Sequence, residues 1–564
     1  MIKLNTFPFK TLKTAPKVSD NKSTSLLLQG GYIRQAMAGA YEFLPMGYRV
    51  LRNIENIIRE EMDNAGYHEM LMTILTPKAL WEKTGRWDIE DYFKVPGHWN
   101  AEYRIAPTNE ENVTPIMSEF IQSYKDLPTC VYQIQKKFRN EKRAKSGLLR
   151  GREFTMKDAY SFHKDIEDFE VFYEWAKKVY TKIFERLGLW KDTFIANADG
   201  WDISDKDSHE FQVRINIWED YIYRDTVSWI CYNQELAPSK VWKEFNNSTE
   251  NLKTRTDVLW KWLIWVNALA KFLNIEVERT TKTILFTDEN DKVIAVALRW
   301  DYEINTIKLK NILWCKTLEL LSENRVKEVT WSVVWYAGMI WLSDEVIKIW
   351  DDSCENRVNF EMWANKENYH SINVNFWKDI ELPENFYDIK EAKTWDKNPE
   401  TNSVYDSFKA SEIWNIFHLW EKYTKAFWVK YLDENNKNVD RVEMWCYGIW
   451  VSRAMWIMAE YFMTEKWIAW PKEVAPATYY IIVIWEDNIE KATEIAKKLE
   501  KNWETVILDD RMWRKAGFGQ KARDCELYWI PNRIVISPKT LEKGGYELKK
   551  RGEEEEIVSI GIDF

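Results

Sequence analysis

The chain has 564 residues, 45% of them hydrophobic and 30% charged, with a formal net charge of −10. That length predicts three or four domains, and the balance supports sizeable cores while excluding disordered, collagen-like and low-complexity classes. Only 19 residues are Gly, about half the usual ~7%, whereas 33 are Trp.

The N-terminal stretch MIKLNTFPFKTLKTAPK has no continuous apolar segment, so no signal peptide is expected. No uninterrupted run of about 18 apolar residues marks a membrane span. Six cysteines (130, 231, 315, 354, 446, 525) form no CxxC pair, which fits a reducing cytoplasm and argues against a zinc knuckle or disulfide scaffold. A helix is predicted over 47–65, where Val50, Ile54, Ile57, Ile58 and Met62 recur at helical spacing. A strand-like run, MLMTIL, and a short helical stretch through Trp81 follow. Strand patterns over 131–141 and 150–156 flank the polar loop KRAKSGLL, predicting an antiparallel hairpin with a basic tip. The texture changes to alternating strand and helix patterns over 225–405. Mixed patterns return over 406–468. After Pro471 and Pro476 comes an αβ segment of strand YYIIVIW, amphipathic helix NIEKATEIAKKLEKN and strand TVILDD.

The hairpin FRNEKRAKSGLLRGREFTMKD carries the densest chemistry. In extended chain, residues two apart share a face, so Arg139 groups with Glu141, and Arg150 and Arg152 with Phe154. Guanidinium groups suit bidentate phosphate recognition, a carboxylate can accept a purine amino proton, and an aromatic ring can stack on the base. This set is a candidate ATP platform without a Gly-rich loop; spacing alone equally allows a surface hairpin of solvated ion pairs.

The hairpin resembles motif 2 of class II aminoacyl-tRNA synthetases, and the resemblance continues in order along essentially the whole chain. SLLLQGGYIRQAMAGAYEFLPMGYRVLRNIENIIREEM, ALWEKTGRW, APTNEE, KDAYSFH and DSHEFQ are similar to blocks of bacterial-type prolyl-tRNA synthetases. MWCYGIWVSR resembles motif 3 apart from its Trp residues, and AWPKEVAP resembles the entry to the anticodon-binding domain. The resemblance implies an α+β multidomain fold. A class II antiparallel sheet flanked by helices would occupy 1–224 and 406–468, an α/β editing insertion 225–405, and an α/β anticodon-binding domain 469–564. It implies a ligase that joins L-proline to ATP and passes the prolyl group to tRNA(Pro), with Mg²⁺ on the phosphates, in a cytoplasmic homodimer with no membrane association.

Site residues carry over by match. Arg139 would hold the α-phosphate near the proline carboxylate, and Glu141 would read the adenine amino group. Phe154 would stack on adenine, Arg453 would meet the γ-phosphate side, and Arg150 would add a phosphate contact. Thr108 and Glu110 would receive the secondary ammonium of proline, and Ser208–Phe211 with FHLWEKYT (417–424) would line the same cleft. Cys446, between an apolar and an aromatic residue, reads as a packed thiol. In the insertion, Lys282, Asp351 and His370 match the editing site that hydrolyses alanyl-tRNA, although TRTDVLW replaces the Thr-Pro-Gly turn that commonly opens that domain. Editing answers a physical limit, because a pocket sized for proline rejects a smaller side chain by only about 1–3 kcal/mol per missing methylene. Arg511, Arg514, Lys515, Lys521 and Arg523 form the expected anticodon-side phosphate track, and the acidic tail GEEEEI (552–557) would avoid RNA. No metal ligand set is predicted.

The chain departs from the family pattern at Thr73, where motif 1 offers Pro, and at Asn109 and Asn415, where His is common. Two alternatives stand beside the main reading. One is a threonine, serine or histidine synthetase, which would lack the proline-pocket block and the insertion. The other is a non-enzymatic paralogue, which would be expected to lose Arg139, Glu141 or Arg453.

The tryptophans fall into two groups. Trp81, Trp87 and Trp470 stand where the family uses Trp. Trp201, Trp300, Trp331, Trp335, Trp363, Trp414, Trp420, Trp445, Trp450 and Trp529 stand where it uses Gly. The expectation is that these ten are UGA codons written as Trp but decoded as Gly in the source organism, since Gly alone allows positive φ and close backbone approach to ATP.

Overall fold

The computed structural model describes residues 1–16, 21–144, 146–200, 208–217, 219–259, 265–512 and 514–551, and the backbone of 556–559. Trp201, Asp207 of the DSHEFQ block and most of the acidic tail lie outside the described residues. The chain forms two compact units: Met1–Ile195 with Gly200–Glu219 and Ala410–Phe564, and Ala196–Asp199 with Asp220–Lys409. No helix among the described residues is long and apolar enough to cross a membrane.

The first unit is built on an antiparallel sheet. Strand Glu153–His163 is an interior strand of it, paired with Thr129–Phe138 on one side and with Glu443–Trp450 on the other. Glu443–Trp450 pairs in turn with the Trp414–Trp420 end of Tyr405–Trp420, against which Ser208–Arg214 also pairs. Two helices cover one face. Pro45–Asn64 starts with Pro at its first position, where the fixed φ favours a helix and the missing N–H costs nothing, and it buries Val50, Ile54, Ile57 and Ile58. Ile166–Leu187 is capped by the Asp165 carboxylate and stops at Gly188 in the left-handed conformation.

The C-terminal part of this unit is an α/β layer. Parallel strands Val506–Asp509, Tyr479–Val483 and Asn532–Ile536 are joined by helices Ile489–Lys501 and Phe518–Leu527. Ile2–Lys3 adds a parallel edge strand that no periodicity in so short a segment signals.

The second unit holds a four-stranded sheet in the order Leu318–Leu320, Thr281–Asp288, Val293–Arg299, Ile347–Trp350. It also holds a three-stranded sheet in the order Thr256–Leu259, Tyr369–Val374, Phe360–Trp363.

Two expected strands are shorter than their patterns. The first arm of the hairpin ends at Phe138, because the chain turns there: Glu141 N–H donates to Arg139 C=O at 2.8 Å and Asn140 N–H to Asp91 C=O. The run MLMTIL is extended without being a continuous strand. Met72 N–H donates to the Gln133 side chain at 3.0 Å instead of to a ladder carbonyl.

Lys157, in the middle of strand Glu153–His163, is fully buried and donates to Tyr180 Oη (2.7 Å) and Tyr447 C=O (3.1 Å). Burial pushes its ammonium down to about 7. Between pH 7 and the ordinary lysine range the unfolded chain then binds the extra proton, so stability rises with pH across that window by up to about 1.4 kcal/mol per unit. Lys157→Met is therefore expected to stabilise the first unit by a few kcal/mol at pH 7 and below, with the gain fading toward pH 10. Denaturant midpoints at pH 6.5 and 9.5 check this; an equal gain at both would refute it.

Candidate active site

The APTNEE segment is tied to the base of the hairpin through its backbone, since Phe138 N–H donates to Ala106 C=O at 3.3 Å. Asn109 then starts helix Glu110–Phe120, placing Glu110 and Glu111 in its first turn, where the helix dipole favours negative charge. Both carboxylates are buried. Thr108 Oγ1 donates to Glu110 Oε2 at 2.5 Å. Arg86 lies 2.9 Å from Glu111 and 3.6 Å from Glu110, and also donates to the Tyr92 and Tyr423 hydroxyls. Burial opposes the Arg86 charge, but Glu111 and its neighbours outweigh that cost and hold the guanidinium protonated. The two carboxylates share one guanidinium, and burial, with Glu110 beside it, raises the Glu111 carboxyl above the usual range.

A second buried network supports this pocket. Lys137 Nζ bonds the Asn109 side chain and Asp158 (3.0 Å), Tyr160 Oη donates to Asp158 at 2.8 Å, and Asn109 N–H donates to Tyr160 Oη at 3.0 Å. Asn109, at a position where the family favours His, thus makes two anchoring bonds. Arg86, Lys137, Asp158 and Tyr160 escaped the sequence reading. Asp158 and Tyr160 lie in the KDAYSFH block and Arg86 in ALWEKTGRW, but no local pattern gives them or Lys137 a role.

The hairpin charges are brought together, in an arrangement that differs from the one-face reading. Glu141 and Arg150 pair with each other at 2.8 Å. Arg139 reaches back over the sheet, its guanidinium carbon 5.5 Å from the Phe154 ring centre, and its buried Nε has no hydrogen-bond partner. Arg453 starts the helix after strand Glu443–Trp450. It is held by Glu412 (2.9 Å), Glu219 (3.4 Å) and the Leu149 carbonyl (2.9 Å). Burial raises the Glu412 carboxyl against the pull of Arg453. Between these groups lies Trp450. Its ring stacks on Phe154 at 4.4 Å and 22°, with Arg453 4.0 Å and Arg139 4.6 Å from its centre. The face of Phe154 expected to take adenine is covered by an indole. Cys446 is buried, and burial raises its thiol well above the usual range, as a packed thiol requires.

In the second unit, Lys282 pairs with Glu303 at 2.7 Å. The Asp351 carboxylate accepts from the Ser353 and Ile389 amides, and His370 Nδ1 bonds Glu361. No hydrogen bond or ion pair joins these three residues to one another among the described residues: Lys282 and Asp351 belong to the four-stranded sheet and His370 to the three-stranded one, and the two sheets are linked through Glu361. Lys282 pairs opposite Leu298, Asp351 N–H donates to Ala297 C=O, and Glu361 accepts from the amide of Thr281. Asp351, Asp352 and Asp388 cluster together, and the Lys390 ammonium bonds Asp352 and Asp388, supplying the countercharge a metal would otherwise bring.

The five C-terminal cations divide. Arg511 is turned inward onto Asp509 (2.6 Å) and Asp524 (2.9 Å), and Lys521 is buried, donating to the Val483 and Asp509 carbonyls. These two hold the domain together. Arg514 and Lys515 are exposed, Lys515 beside Asn5, and Arg523 is partly exposed. The acids that claim the inward pair flank the window in which no acid was seen.

The family description "tRNA synthetase class II core domain (G, H, P, S and T)" matches residues 93–462, and "Anticodon binding domain" matches 478–563. A proline–tRNA ligase of Bacillus cereus (strain Q1) is 36% identical over 555 residues, spanning 97% of this chain and 96% of that one. The chain belongs to the proline–tRNA ligase family. The proline–tRNA ligase of Caldicellulosiruptor saccharolyticus is 37% identical over 98% of this chain and 96% of its own length. In fold, the chain is similar to the Giardia lamblia prolyl-tRNA synthetase solved with prolyl-adenylate (TM-score 0.54, 15% identity, 95% of this chain and 72% of that one). The Cryptosporidium parvum enzyme gives the same TM-score at 12% identity over 95% and 74%. The expected class, an aminoacyl-tRNA synthetase and a ligase, stands on this membership, and so does proline as the amino acid over threonine, serine or histidine.

Proposed function

We propose that this proline–tRNA ligase binds L-proline in the Thr108–Glu110–Arg86 pocket and ATP across Arg139, Glu141, Phe154 and Arg453, and charges tRNA(Pro). The supporting observation is the buried Thr108–Glu110 pair at a helix N-terminus. The secondary ammonium of proline completes it, with Thr108 and Glu110 as acceptors. The carboxylate of proline then faces Arg139, whose unpartnered Nε is available to it and to the α-phosphate. A proline carboxylate oxygen attacks the α-phosphorus, the bond to the β-phosphate breaks, and pyrophosphate leaves on the Arg453 side. The terminal ribose hydroxyl of the tRNA next attacks the prolyl carbonyl, and AMP departs. Positioning and charge stabilisation carry the catalysis, without a covalent enzyme intermediate. The Glu412 and Glu219 carboxylates are the oxygen donors that would hold Mg²⁺, which would supply further charge neutralisation at the phosphates. Arg514, Lys515 and Arg523 are assigned to tRNA phosphates, the assembly to a homodimer and the compartment to the cytoplasm.

ATP–pyrophosphate exchange with a panel of amino acids tests this reading. Exchange is expected with proline, and Arg139→Ala is expected to lower kcat by about 10²–10³-fold. Exchange driven by serine or threonine but not proline would sink it.

An editing activity in the second unit is the companion reading. The observation favouring it is His370: Glu361 holds its Nδ1, and its buried Nε2 has no hydrogen-bond partner, the arrangement of an oriented general base. His370→Ala is expected to abolish hydrolysis of alanyl-tRNA(Pro) while leaving prolyl transfer within about twofold. Equal loss of both activities would assign His370 to structure alone.

A further inference from the structure

Twenty-two described residues other than glycine have positive φ, and eleven of them are tryptophan. The other eleven are nine Asn, one Asp and one Ser, of which Asn and Asp tolerate this conformation. The chain has 25 Phe and 27 Tyr, and none of those described adopts it. A left-handed backbone therefore selects Trp among the bulky residues, the one type with no chemical reason to be there.

The contexts name the missing residue. Trp314 and Trp331 cap the helices Thr306–Leu313 and Glu323–Thr330 at φ 54° and 62°. Trp428, Trp503 and Trp529 follow three more helices at φ 53°, 65° and 48°, each donating its N–H back to a carbonyl of the last turn. In four other helices the same slot holds Gly66, Gly85, Gly188 and Gly544. Trp314 and Trp503 are 93% and 95% exposed, so no packing repays the strain. Asn would also suit these slots, but the buried positions exclude it. The Trp445 ring lies 3.4 Å from that of Phe169, and Trp414 lies 3.5 Å from Tyr180, far closer than the usual 4.5–7 Å. The indole N–H groups of Trp414, Trp445 and Trp450 are buried with no acceptor. Only a residue without a side chain satisfies both the left-handed turns and the crowded strands.

We infer that the working enzyme carries glycine at these eleven left-handed positions and at 414, 445 and 450. Their codons are then UGA, and the cell that makes the protein holds a glycine-accepting tRNA whose anticodon pairs with UGA. This goes beyond the family glycines, adding positions 99, 229, 314, 341, 377, 428, 485 and 503 on backbone geometry alone. It does not rest on the proposed function. Trp81 and Trp470 are the internal controls. Trp81 is fully buried beside the Arg86 and Arg104 guanidiniums, in a right-handed helix and 5.9 Å from the Tyr92 ring, so its own acceptor-less N–H comes with neither left-handed backbone nor crowding; the Trp470 N–H donates to Tyr32 Oη at 3.0 Å.

The test is to sequence the gene and to measure peptide masses of the protein isolated from its own cells. The expected result is UGA with glycine-containing peptides at the fourteen positions, and UGG with tryptophan-containing peptides at 81 and 470. UGG at the left-handed positions, or tryptophan in those native peptides, overturns the inference. So does UGA at 81 and 470 alike, because the codon would then ignore the backbone. A native protein that carries glycine yet gives no proline-dependent exchange leaves the decoding intact and defeats the functional reading instead.

Discussion

Replacing Trp445 and Trp450 together by glycine is expected to raise proline-dependent ATP–pyrophosphate exchange by at least about a hundredfold, with most of the change in the KM for ATP. Phe154 lies beside Arg139, and the Trp450 indole, itself against both Arg139 and Arg453, lies flat on it at 4.4 Å. Stacking a base on an aromatic side chain is worth about 1–3 kcal/mol, and 3 kcal/mol is roughly a hundredfold in affinity. With Trp in place, ATP must forfeit that stacking and also displace an indole that both arginines cover. Glycine at 450 uncovers Phe154 and releases Arg139 and Arg453 toward the phosphates. Glycine at 445, five residues earlier on the same strand and on its other face, relieves the stack of Trp445 against Phe169 and His418. Exchange rates against ATP concentration for the two proteins decide the matter. An unchanged KM, or a loss of activity on replacement, would mean that adenine binds elsewhere.

How far the sequence could be read depends on the range of the interaction concerned. Helix Pro45–Asn64 was legible because its burial follows one local period, and the αβ order of the C-terminal segment because each element carries its own pattern. Thr108, Glu110, Arg139, Glu141, Phe154 and Arg453 were named through motif resemblance; of these the structure sets Thr108 on Glu110, and Arg139 beside Phe154. What local pattern does not encode is pairing across the chain. Nothing near Arg511 announces that Asp509 and Asp524 neutralise it, and nothing near Thr108 announces Arg86, which lies in another segment and reaches the site through Glu111. The hairpin tip misled for the converse reason. Its alternation resembles a strand, but at Phe138 the ladder ends and the side-chain faces are set by turns. Backbone sign was the least legible feature. Composition could register an excess of Trp, and resemblance could match ten of them to glycines, but only φ shows that the exposed residues at 314 and 503 belong to the same set.

Replacing Trp314 and Trp331 by glycine is expected to raise the thermal midpoint of the second unit by roughly 5–15 °C, and replacing Trp428 and Trp503 is expected to stabilise the first. An L-residue in the left-handed region is costlier than glycine by about 1–2 kcal/mol, because its Cβ meets the following carbonyl oxygen. Two such sites amount to about 2–4 kcal/mol, and in a domain of 150–250 residues each kcal/mol shifts the midpoint by about 2–4 °C. Burial does not repay the cost where the indoles are almost wholly in solvent. Ordinarily glycine is the destabilising choice, since it gives the unfolded chain more freedom, so a gain on Trp→Gly has the opposite sign to the usual expectation. Trp470→Gly supplies the contrast. It removes a buried indole and its bond to Tyr32 and is expected to cost about 3–5 kcal/mol or more, as large-to-small core changes do. The two units need not melt together, so the assignment uses residue-specific probes rather than a single global midpoint. Four gains at the exposed helix ends beside a loss at 470 is the pattern that left-handed strain requires. A loss at every position would mean that the exposed indoles do pack, and that glycine is no better suited to those turns than the residue now written there.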